Sequence, residues 1–377
     1  MTATYDCVVI GVGGMGSAAL DHLARRGQRV LGLERFDIPH DRGSSHGVTR
    51  IIRLAYYEHP SYVPLLRRAY ELWRDLQSAA GEQLLHITGA IDAGPPGSEV
   101  FRRSKLSCDL HGLPHEVLDG RELNRRYPAY RLPDDHEVLL QPDGGFLLPE
   151  RCIVAHANRA MAHGAILRAR EQVLGFSRSG GAYRVTTDRG AYEAGRVIVA
   201  AGAWVGRLLP RLAPIARPER QVLAWLRPDQ PADFHPHRFP VFNLAVTEGR
   251  FYGFPEYGIP GFKFGLYHHL GEEVDPDSMD REPNARDEAV LRAFAEKYFP
   301  GGAGATLTMK ACLFTNTPDE HFLIDRVPRD PGIIVASPCS GHGFKFCSVV
   351  GEILADLAID GQTRYDIDLF RWDRFAA

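Results

Sequence analysis

The N-terminal residues alternate between short apolar runs and a helical spacing of apolar positions. Residues 7–10 (Cys-Val-Val-Ile) form an apolar run that leads into Gly-Val-Gly-Gly-Met-Gly over 11–16. Apolar residues then recur at helical spacing over 19–24, and a second apolar run, 29–34, ends in the acid Glu34. A strand-like run, a helix-like run and another strand-like run predict a β-turn-α-β unit.

The turn of this unit carries the spacing GxGxxG, which suits a dinucleotide. Gly11 permits a tight turn, Gly13 lets the backbone approach a pyrophosphate, and Gly16 allows close packing of the helix against the strand. The helix N-terminus adds free N–H donors and positive potential. Glu34 is placed to accept hydrogen bonds from a ribose diol and would repel a 2′-phosphate, which disfavours NADP. FAD and NAD are both compatible with this pattern.

The rest of the chain alternates between α/β-like and β-rich stretches. Helical spacing and buried strands return at 150-217 and 320-377, whereas short strands and turn signals dominate 86-149 and 218-319. We therefore predict an α/β fold with a discontinuous Rossmann-like dinucleotide domain, made of 1-85 and the first two stretches. A mainly antiparallel, β-rich substrate domain, made of the other two, interrupts it twice.

Composition excludes several classes of partner. The chain has 377 residues, of which 44% are hydrophobic and 24% charged, and a net charge of −3. This length and hydrophobic content predict a sizeable core and more than one domain. Because no polybasic segment is present, neither nucleic acid nor an anionic membrane is expected as a partner. No apolar run reaches the roughly 18 residues that a membrane-spanning helix needs.

The cysteines and the N-terminus bear on the compartment. The six cysteines are scattered, without a CxxC pair, so we expect reduced thiols and no metal site. Residues 1–6 (Met-Thr-Ala-Thr-Tyr-Asp) contain no basic segment, so no signal peptide is expected. These features together predict a cytoplasmic protein.

Two polar blocks near the C-terminus flank a short apolar strand. Residues 312–325 (Cys-Leu-Phe-Thr-Asn-Thr-Pro-Asp-Glu-His-Phe-Leu-Ile-Asp) and 340–345 (Ser-Gly-His-Gly-Phe-Lys) lie on either side of 333–336 (Ile-Ile-Val-Ala). Polar and glycine-rich segments at both ends of a buried strand are typical of ligand sites. Small residues at 201–204 and a donor-rich loop at 40–53 extend the pattern, although the loop by itself also suits an ordinary solvated segment.

These motifs together resemble a known family. The GxGxxG unit, the loop Gly-Ser-Ser-His-Gly-Val-Thr-Arg-Ile-Ile-Arg at 43–53, Ala-Gly-Ala-Trp at 201–204 and the two closing blocks occur in the same order in the monomeric sarcosine oxidase and N-methyltryptophan oxidase family. The resemblance covers nearly the whole length. It implies a monomeric FAD enzyme that oxidises secondary amino acids with O2, giving hydrogen peroxide and an imine that hydrolyses.

The resemblance also implies how the flavin is held. In the family a cysteine sulfur is bonded to the 8α-methyl of the flavin, and the matching residue here is Cys312. A thiolate can add to that electron-poor carbon if a nearby positive field keeps the thiol ionised. Besides Cys312 and the residues of the GxGxxG unit, the implied cofactor-binding residues are Arg35, Ser45, His46, Arg50, Val173, Gly202, Trp204, Gly341, His342, Gly343 and Lys345.

Four catalytic residues are implied in the same way. Lys263, in Gly-Phe-Lys-Phe-Gly, matches the family lysine that promotes reaction with O2, where a fixed cation stabilises developing superoxide. A lysine between two phenylalanines also suits a strand residue that extends into solvent. Arg50 matches an arginine that favours negative charge on the reduced flavin, and Tyr252 matches a pocket tyrosine. His268 corresponds to an active-site histidine, but an extra residue separates it from Lys263, which makes His269 a rival.

The substrate-binding residues implied by the resemblance are Arg53, Lys345 and Phe314. Arg53 and Lys345 match a cationic clamp for the substrate carboxylate, which arginine can bind through two hydrogen bonds. A surface ion pair is the alternative for Arg53. Phe314 stands where sarcosine oxidases carry a tyrosine, two residues after the flavin cysteine. The missing hydroxyl makes the expected pocket more apolar and favours an N-alkyl amino acid bulkier than sarcosine.

The resulting hypothesis is hydride transfer from the carbon next to a neutral secondary amine to flavin N5, followed by reoxidation by O2. One alternative is a flavin dehydrogenase that passes electrons to another acceptor. A second is an oxidase of cyclic imino acids such as pipecolate or proline, or of glycated amines. A third is a non-catalytic module that binds FAD or NAD. The sequence does not rank the substrates, because pocket volume depends on how the loops pack.

Overall fold

The computed structural model describes residues 4–337 and 339–375. Residues 1–3, which belong to the stretch assessed for a signal peptide, lie outside the described residues. So do residues 338 and 376–377 of the predicted dinucleotide domain. The strands, in chain order, are β1 (Thr4–Ile10), β2 (Val30–Leu33), β3 (Arg50–Ile52), β4 (Leu85–Ile87), β5 (Ala90–Gly94), β6 (Glu116–Asp119), β7 (Glu137–Gln141), β8 (Gly145–Leu147), β9 (Ile166–Arg168), β10 (Val173–Ser179), β11 (Ala182–Thr187), β12 (Gly190–Val199), β13 (Arg217–Leu226), β14 (Val241–Val246), β15 (Gly249–Phe254), β16 (Phe262–Leu266), β17 (Thr306–Asn316), β18 (Ile324–Val327) and β19 (Asp330–Ala336). The α-helices are α1 (Gly14–Arg25), α2 (Tyr62–Ala80), α3 (Glu99–His111), α4 (Gly120–Arg126), α5 (Pro149–Ala162), α6 (Val205–Leu208), α7 (Ala285–Tyr298) and α8 (Cys347–Ile359).

The first sheet is built around the predicted β-turn-α-β unit and has eight strands. Its parallel centre runs in the order β19, β12, β1, β2, β9. The β10–β11 hairpin pairs antiparallel with the first half of β12, and β18 pairs antiparallel with β19. The central strands are buried on both faces, which is why they consist of near-continuous apolar runs.

Helices pack against this sheet through a close helix–helix contact. α1 packs against α5 and α8. A Cβ added to Gly351 of α8 would lie 2.5 Å from the carbonyl carbon of Ala18 in α1. Only glycine lets the two helix backbones approach this closely, so the contact fixes the position of α1 and of the turn that precedes it.

The second sheet also has eight strands, in the order β17, β13, β16, β15, β14, β5, β7, β6. All neighbours are antiparallel except β14 and β5. One face packs on α7 through aromatic rings, with the rings of Phe251 and Phe294 stacked at 3.7 Å between centroids. The opposite face carries several polar and charged side chains and forms part of the candidate site.

Between residues 86 and 149 the structure differs from the predicted strand-and-turn pattern. This stretch contains the helices α3 and α4 as well as strands. α3 begins after Ser98 and ends at Gly112, which adopts the left-handed conformation that commonly ends a helix. In a small antiparallel sheet, β8 of this stretch pairs with β4 on one side and with β3 from the earlier 40–53 loop on the other.

The two large sheets confirm the predicted fold class. A largely parallel, Rossmann-like sheet is combined with a mainly antiparallel one, and the chain passes between them more than once. The residue boundaries of the two domains stay a prediction. None of the described helices is long and apolar enough to cross a membrane.

Candidate functional site

The turn between β1 and α1 is built for close backbone contact. Gly11 adopts a φ of +91°, and a Cβ added to Gly16 would lie 1.8 Å from the Gly11 carbonyl oxygen. An added Cβ at Gly13 would meet nothing within 4 Å, so this backbone borders open space. Among the described residues, no side chain caps the N-terminus of α1, and its first turn has no acid. The turn therefore offers free N–H groups and positive potential to an anion.

Glu34 directly follows β2, beside this turn. Its carboxylate accepts hydrogen bonds from the backbone N–H groups of Val12 (2.8 Å) and Phe36 (3.0 Å). His40 Nε2 lies 3.5 Å from the same carboxylate. Burial by itself would raise the pKa of Glu34, but His40 and the two backbone donors lower it. Glu34 is thus an ionised acceptor at the edge of the turn.

A cleft of about 270 Å³ extends from the β1–α1 turn along the ends of the strands. It brings together residues that lie far apart in the chain, from the N-terminal turn to the closing blocks. The predicted site residues that line it are Gly11, Gly13, Glu34, Arg35, Ser45, Arg50, Val173, Gly202, Trp204, Phe314, Gly341 and Gly343.

A charged cluster that the sequence did not indicate borders the cleft. Asp277 accepts hydrogen bonds from Arg35 Nη1 (2.6 Å) and Trp204 Nε1 (2.8 Å). Arg207 forms an ion pair with it at 3.1 Å. All four of these residues line the cleft. Asp277 lies in the segment between β16 and α7, so the cluster connects that segment to the first sheet.

Cys312 lies in β17, and the next residue of the strand, Leu313, lines the cleft. The Cys312 Sγ is 3.6 Å from Nη2 of Arg50. The Arg50 guanidinium is held in place because it donates to the carbonyl oxygens of Ser44 (2.7 Å) and Thr49 (2.9 Å). A fixed guanidinium therefore lies beside the Cys312 thiol.

Lys263 is buried rather than extended into solvent, so the alternative of an outward-pointing strand residue is wrong. Its exposed fraction is 2%. The ammonium Nζ donates to the carbonyl oxygen of Gly47 (2.7 Å) and to the carbonyl and hydroxyl oxygens of Thr49 (both 2.8 Å). It lies 4.0 Å from the centroid of the Phe254 ring. Burial, followed by the charge of Arg50, lowers the pKa of Lys263 well below its ordinary value.

Arg53 is also buried, with an exposed fraction of 2%, so it is not a surface ion pair. Its guanidinium donates to both oxygens of Glu58 (3.0 and 3.2 Å) and to the carbonyl oxygen of Ala55, and its Nε lies 3.8 Å from Asp92. Although burial alone would lower the pKa of Arg53, Asp92 and Glu58 raise it. The charge of Arg53 is therefore already balanced by two carboxylates.

Lys345 lies near Arg53. Its Nζ is 5.3 Å from the centroid of the Tyr56 ring, and the Arg53 guanidinium is 4.6 Å from the same centroid. The ammonium donates to the carbonyl oxygen of His342 at 2.8 Å. Burial, followed by the charge of Arg53, lowers the pKa of Lys345 to about 7. The structure thus brings together the two cations of the predicted carboxylate clamp.

The two candidate histidines have different surroundings, and neither lines the cleft. The ring of His268 lies between Glu219 (2.9 Å) and Glu320 (3.0 Å). Burial would lower its pKa, but these two carboxylates raise it to about 9. His269 instead places Nε2 2.8 Å from Asp287, in a buried network. The His269 ring thus contacts α7, whereas the His268 ring lies 6.4 Å from that of Phe314.

Strand register puts the remaining predicted residues on one side of the second sheet. Residues directly opposite each other on antiparallel strands share a face. Gly265 pairs with both Tyr252 and Leu223. Alternate residues of β13, counted from Leu223 in both directions, share its face. They pair with Lys263 of β16 at one edge of β13 and with Cys312 and Phe314 of β17 at the other. We call this side, which carries Tyr252, Lys263, Cys312 and Phe314, the site face.

Two predicted histidines are buried close to the site. His342 bonds through its ring to the Tyr56 hydroxyl (2.6 Å) and the Glu320 carbonyl oxygen (2.9 Å), and burial lowers its pKa to about 4. Neither ring nitrogen of His46 has a hydrogen-bond partner among the described residues, and burial, followed by the charge of Arg50, lowers the pKa of His46 to about 3. Both rings are therefore neutral near pH 7.

Comparison with known proteins agrees with this arrangement. Residues 6–357 match the DAO family, described as FAD dependent oxidoreductase. The chain is 40% identical to the monomeric sarcosine oxidase of Bacillus sp. (strain NS-129), over 100% of this chain and 98% of that protein. It is 34% identical to the N-methyl-L-tryptophan oxidase of Yersinia pestis (strain Pestoides F), over 98% of this chain and 99% of that protein.

A solved structure shows the same fold. The open form of NikD, an unusual amino acid oxidase essential for nikkomycin biosynthesis, is similar with a TM-score of 0.85 and 28% sequence identity over 98% of each chain. Together with the match over residues 6–357 and the 40% identity, this likeness extends over nearly the whole length. The chain therefore belongs to the DAO family of FAD-dependent oxidoreductases.

Proposed function

We propose that the protein is an FAD-dependent oxidase of secondary amino acids, of the N-methyl or N-alkyl type. The observation that carries the proposal is the site face: Cys312, Lys263 and Tyr252 share one side of a sheet, and Cys312 contacts the cleft-lining Arg50. The relatives are named for oxidation of two N-methyl amino acids, sarcosine and N-methyl-L-tryptophan. Their shared chemical feature is the secondary amine next to a carboxylate.

The residues of the cleft fit FAD. Space beside Gly13 and the uncapped start of α1 suit a diphosphate, and the ionised Glu34 suits a ribose diol. Ser45, Val173, Gly202 and Trp204 line the same cleft. Cys312 would hold the flavin ring covalently, helped by the positive charge of Arg50. When bound, the flavin supplies the hydride acceptor and the path of electrons to O2.

Arg53 and Lys345 are proposed to bind the substrate carboxylate. Arg53 would exchange one of its contacts to Glu58 for the substrate, or donate from Nε, which has no hydrogen-bond partner among the described residues. Lys345, with a pKa of about 7, gains positive charge when a carboxylate arrives next to it. Anchoring the carboxylate fixes the position of the neighbouring C–H bond, which is the bond to be oxidised.

Lys263 is proposed to promote the reaction with O2. Three oxygen acceptors hold its ammonium group at a fixed point in a buried region. A preorganised cation in such surroundings stabilises negative charge that develops on oxygen. Tyr252 and His268, which lie on and beside the same face, would complete the pocket. His268 is the better candidate than His269 because its ring approaches Phe314.

Phe314 is proposed to set substrate preference. Its ring contacts Gly341, where an added Cβ would lie 2.6 Å from the ring, and it lies 5.1 Å from the Tyr267 ring. This apolar surrounding favours a substrate with a larger side chain than sarcosine. A monomer in the cytoplasm remains our proposal for assembly and compartment.

Peroxide formation in air tests the proposed function. The purified yellow protein is mixed with sarcosine, N-methyl-L-alanine or N-methyl-L-tryptophan, without an added electron acceptor, and peroxide is measured with peroxidase. The proposal expects peroxide from N-methyl amino acids and much less from the parent primary amino acids. Oxidation that appears only when a dye or quinone is added would instead favour a dehydrogenase.

A further inference from the structure

Arg250 is a charged residue of the site face that none of the roles above uses. It precedes Tyr252 by two positions in β15, and side chains two apart in a strand point to the same side. Arg250 therefore lies on the face that carries Tyr252, Lys263 and Cys312. It also borders the predicted carboxylate clamp, because the guanidinium groups of Arg250 and Arg53 lie 5.1 and 4.4 Å from the centroid of the same ring, Tyr57.

The guanidinium of Arg250 is held between two aromatic rings. It lies 3.7 Å from the centroid of Tyr267, in addition to its contact with Tyr57. Tyr267 is itself fixed, because its hydroxyl donates to the carbonyl oxygen of Ser340 and its ring packs on Phe314. Stacking on flat rings orients a guanidinium and leaves its N–H groups free at the edge.

Within residues 4–337 and 339–375, no side chain or carbonyl group accepts a hydrogen bond from this guanidinium, and no carboxylate forms an ion pair with it. Its Nε is buried without a partner. The carboxylates close enough to raise the pKa of Arg250 are Glu58 and Glu320. These are hydrogen bonded to Arg53 and His268, respectively. A buried donor of a charged group is costly when unmet, and the partial exposure of Arg250 leaves its group accessible to an anion.

The other cations of the site already have acceptors. Arg53 binds Glu58 through both carboxylate oxygens, Lys345 donates to His342, and Lys263 donates to Gly47 and Thr49. Nε of Arg53 also lacks a hydrogen-bond partner among the described residues, but Arg53 already binds Glu58 and Ala55, whereas the Arg250 guanidinium has no acceptor in this part of the chain. Its planar group can bind a carboxylate through two parallel hydrogen bonds.

We propose that Arg250 is an anion-binding residue that takes a carboxylate of the substrate. The inference rests on the proposed amino acid oxidase function. The carboxylate has two possible sources: the α-carboxylate, or a second carboxylate on the substrate side chain. In the second case the substrate is an N-alkyl dicarboxylic amino acid, held by Arg53 and Lys345 at one end and by Arg250 at the other.

The test compares the holoenzyme with Arg250→Met, which keeps an unbranched apolar side chain without the charge, and with Arg250→Lys. Arg364→Met is the matched control, because Arg364 also lies over a tyrosine ring, at 5.0 Å, but is 69% exposed away from the site. Substrates are N-methyl-L-glutamate and N-methyl-L-glutamine, which differ only by a carboxylate against an amide. Binding of succinate and butyrate, matched in chain length, is measured by calorimetry.

We expect Arg250→Met to lower kcat/KM or carboxylate affinity by about 10- to 100-fold, the size of a charge-assisted hydrogen bond. A loss confined to N-methyl-L-glutamate and succinate assigns the side-chain carboxylate to Arg250. An equal loss with both substrates and both probes assigns the α-carboxylate. Arg250→Lys should recover part of the loss, because it restores the charge without the second hydrogen bond.

Unchanged kcat/KM and unchanged probe affinity in Arg250→Met, with normal flavin content, would overturn the inference. Failure of the proposed function looks different: the parent enzyme would then release no peroxide with any N-methyl amino acid, sarcosine and N-methyl-L-tryptophan included. The calorimetric titrations still decide the role of Arg250 in that case, because carboxylate binding needs no turnover. Weaker binding in Arg250→Met would support the anion site, and unchanged binding would refute it.

Discussion

The guanidinium of Arg50 lies 3.6 Å from the sulfur of Cys312, although 262 positions separate the two residues in the chain. Arg50 comes from the short strand β3 and Cys312 from β17 of the second sheet. The contact joins the donor-rich N-terminal loop to the C-terminal block beside the dinucleotide cleft. It places a cation beside the cysteine that is proposed to hold the flavin.

Replacing Cys312 by serine should leave the flavin bound without a covalent bond. After acid precipitation, the yellow colour of the parent protein should stay with the pellet, and that of Cys312→Ser should move to the supernatant. Cys339→Ser is the control: Cys339 lines the same cleft, but burial raises its pKa to about 12, so it offers no thiolate near pH 7. Colour that remains in the Cys312→Ser pellet would show that another residue is attached.

Replacing Lys263 by methionine should slow the reaction of the reduced enzyme with O2. The buried cation held by Gly47 and Thr49 is lost, and removal of one preorganised electrostatic group typically lowers a rate by about 10²- to 10³-fold. Stopped-flow mixing of reduced enzyme with O2 measures the effect, and anaerobic reduction by substrate should change much less. Lys297→Met, an exposed position in α7, should react with O2 like the parent. A Lys263→Met enzyme that reoxidises at the parental rate would remove the oxygen-activation role.

Two glycines of the same turn should respond differently to alanine. A methyl group on Gly16 would lie 1.8 Å from the Gly11 carbonyl oxygen, so Gly16→Ala should destabilise the fold or abolish soluble expression. A methyl group on Gly13 meets no protein atom within 4 Å. Gly13→Ala should therefore fold normally but retain much less FAD. Flavin content and circular dichroism separate the two outcomes, and full FAD in Gly13→Ala would place the diphosphate elsewhere.

His268 should make stability fall as pH rises. Its pKa is raised from 6.5 to about 9 in the folded protein, so its contribution is fully present below pH 6.5 and is lost between 6.5 and 9. Relative to His268→Asn, the parent should lose about 1 kcal/mol of unfolding free energy over this range, less than the whole shift implies because the ring is partly exposed. Urea unfolding at pH 6 and pH 9 measures the difference. The exposed His235→Asn variant should follow the parent curve; if His268→Asn does so too, the histidine carries no such charge.

Local patterns were enough to predict the dinucleotide unit. The apolar run at 7–10, the glycines and the acid at position 34 lie within one short segment, and the structure shows β1, α1 and β2 there. The same kind of signal was available for α3: Ser98 precedes an acid in the first turn and Gly112 ends the helix. Because turn residues flank this segment, a strand-rich pattern was predicted there instead of a helix.

Long-range relationships could not be predicted from local patterns. Asp277 borders the cleft because a segment after β16 returns to the first sheet, where Arg35 and Trp204 meet it. Nothing in the residues around Asp277 indicates that contact. Likewise, the sequence names Arg53 as a cation but does not show that Glu58 and Asp92 already balance its charge. The place of Arg250 on the site face follows from its position in β15, two residues before Tyr252, and not from a sequence motif.

The most direct measurement of the central claim is the flavin absorbance during anaerobic mixing of the purified enzyme with an N-methyl amino acid. Oxidised flavin absorbs at roughly 450 nm. We predict that this absorbance disappears at a rate that rises with substrate concentration. Admission of O2 should then restore it and release one hydrogen peroxide per flavin. An oxidised spectrum that persists in the presence of every secondary amino acid tested would contradict the account.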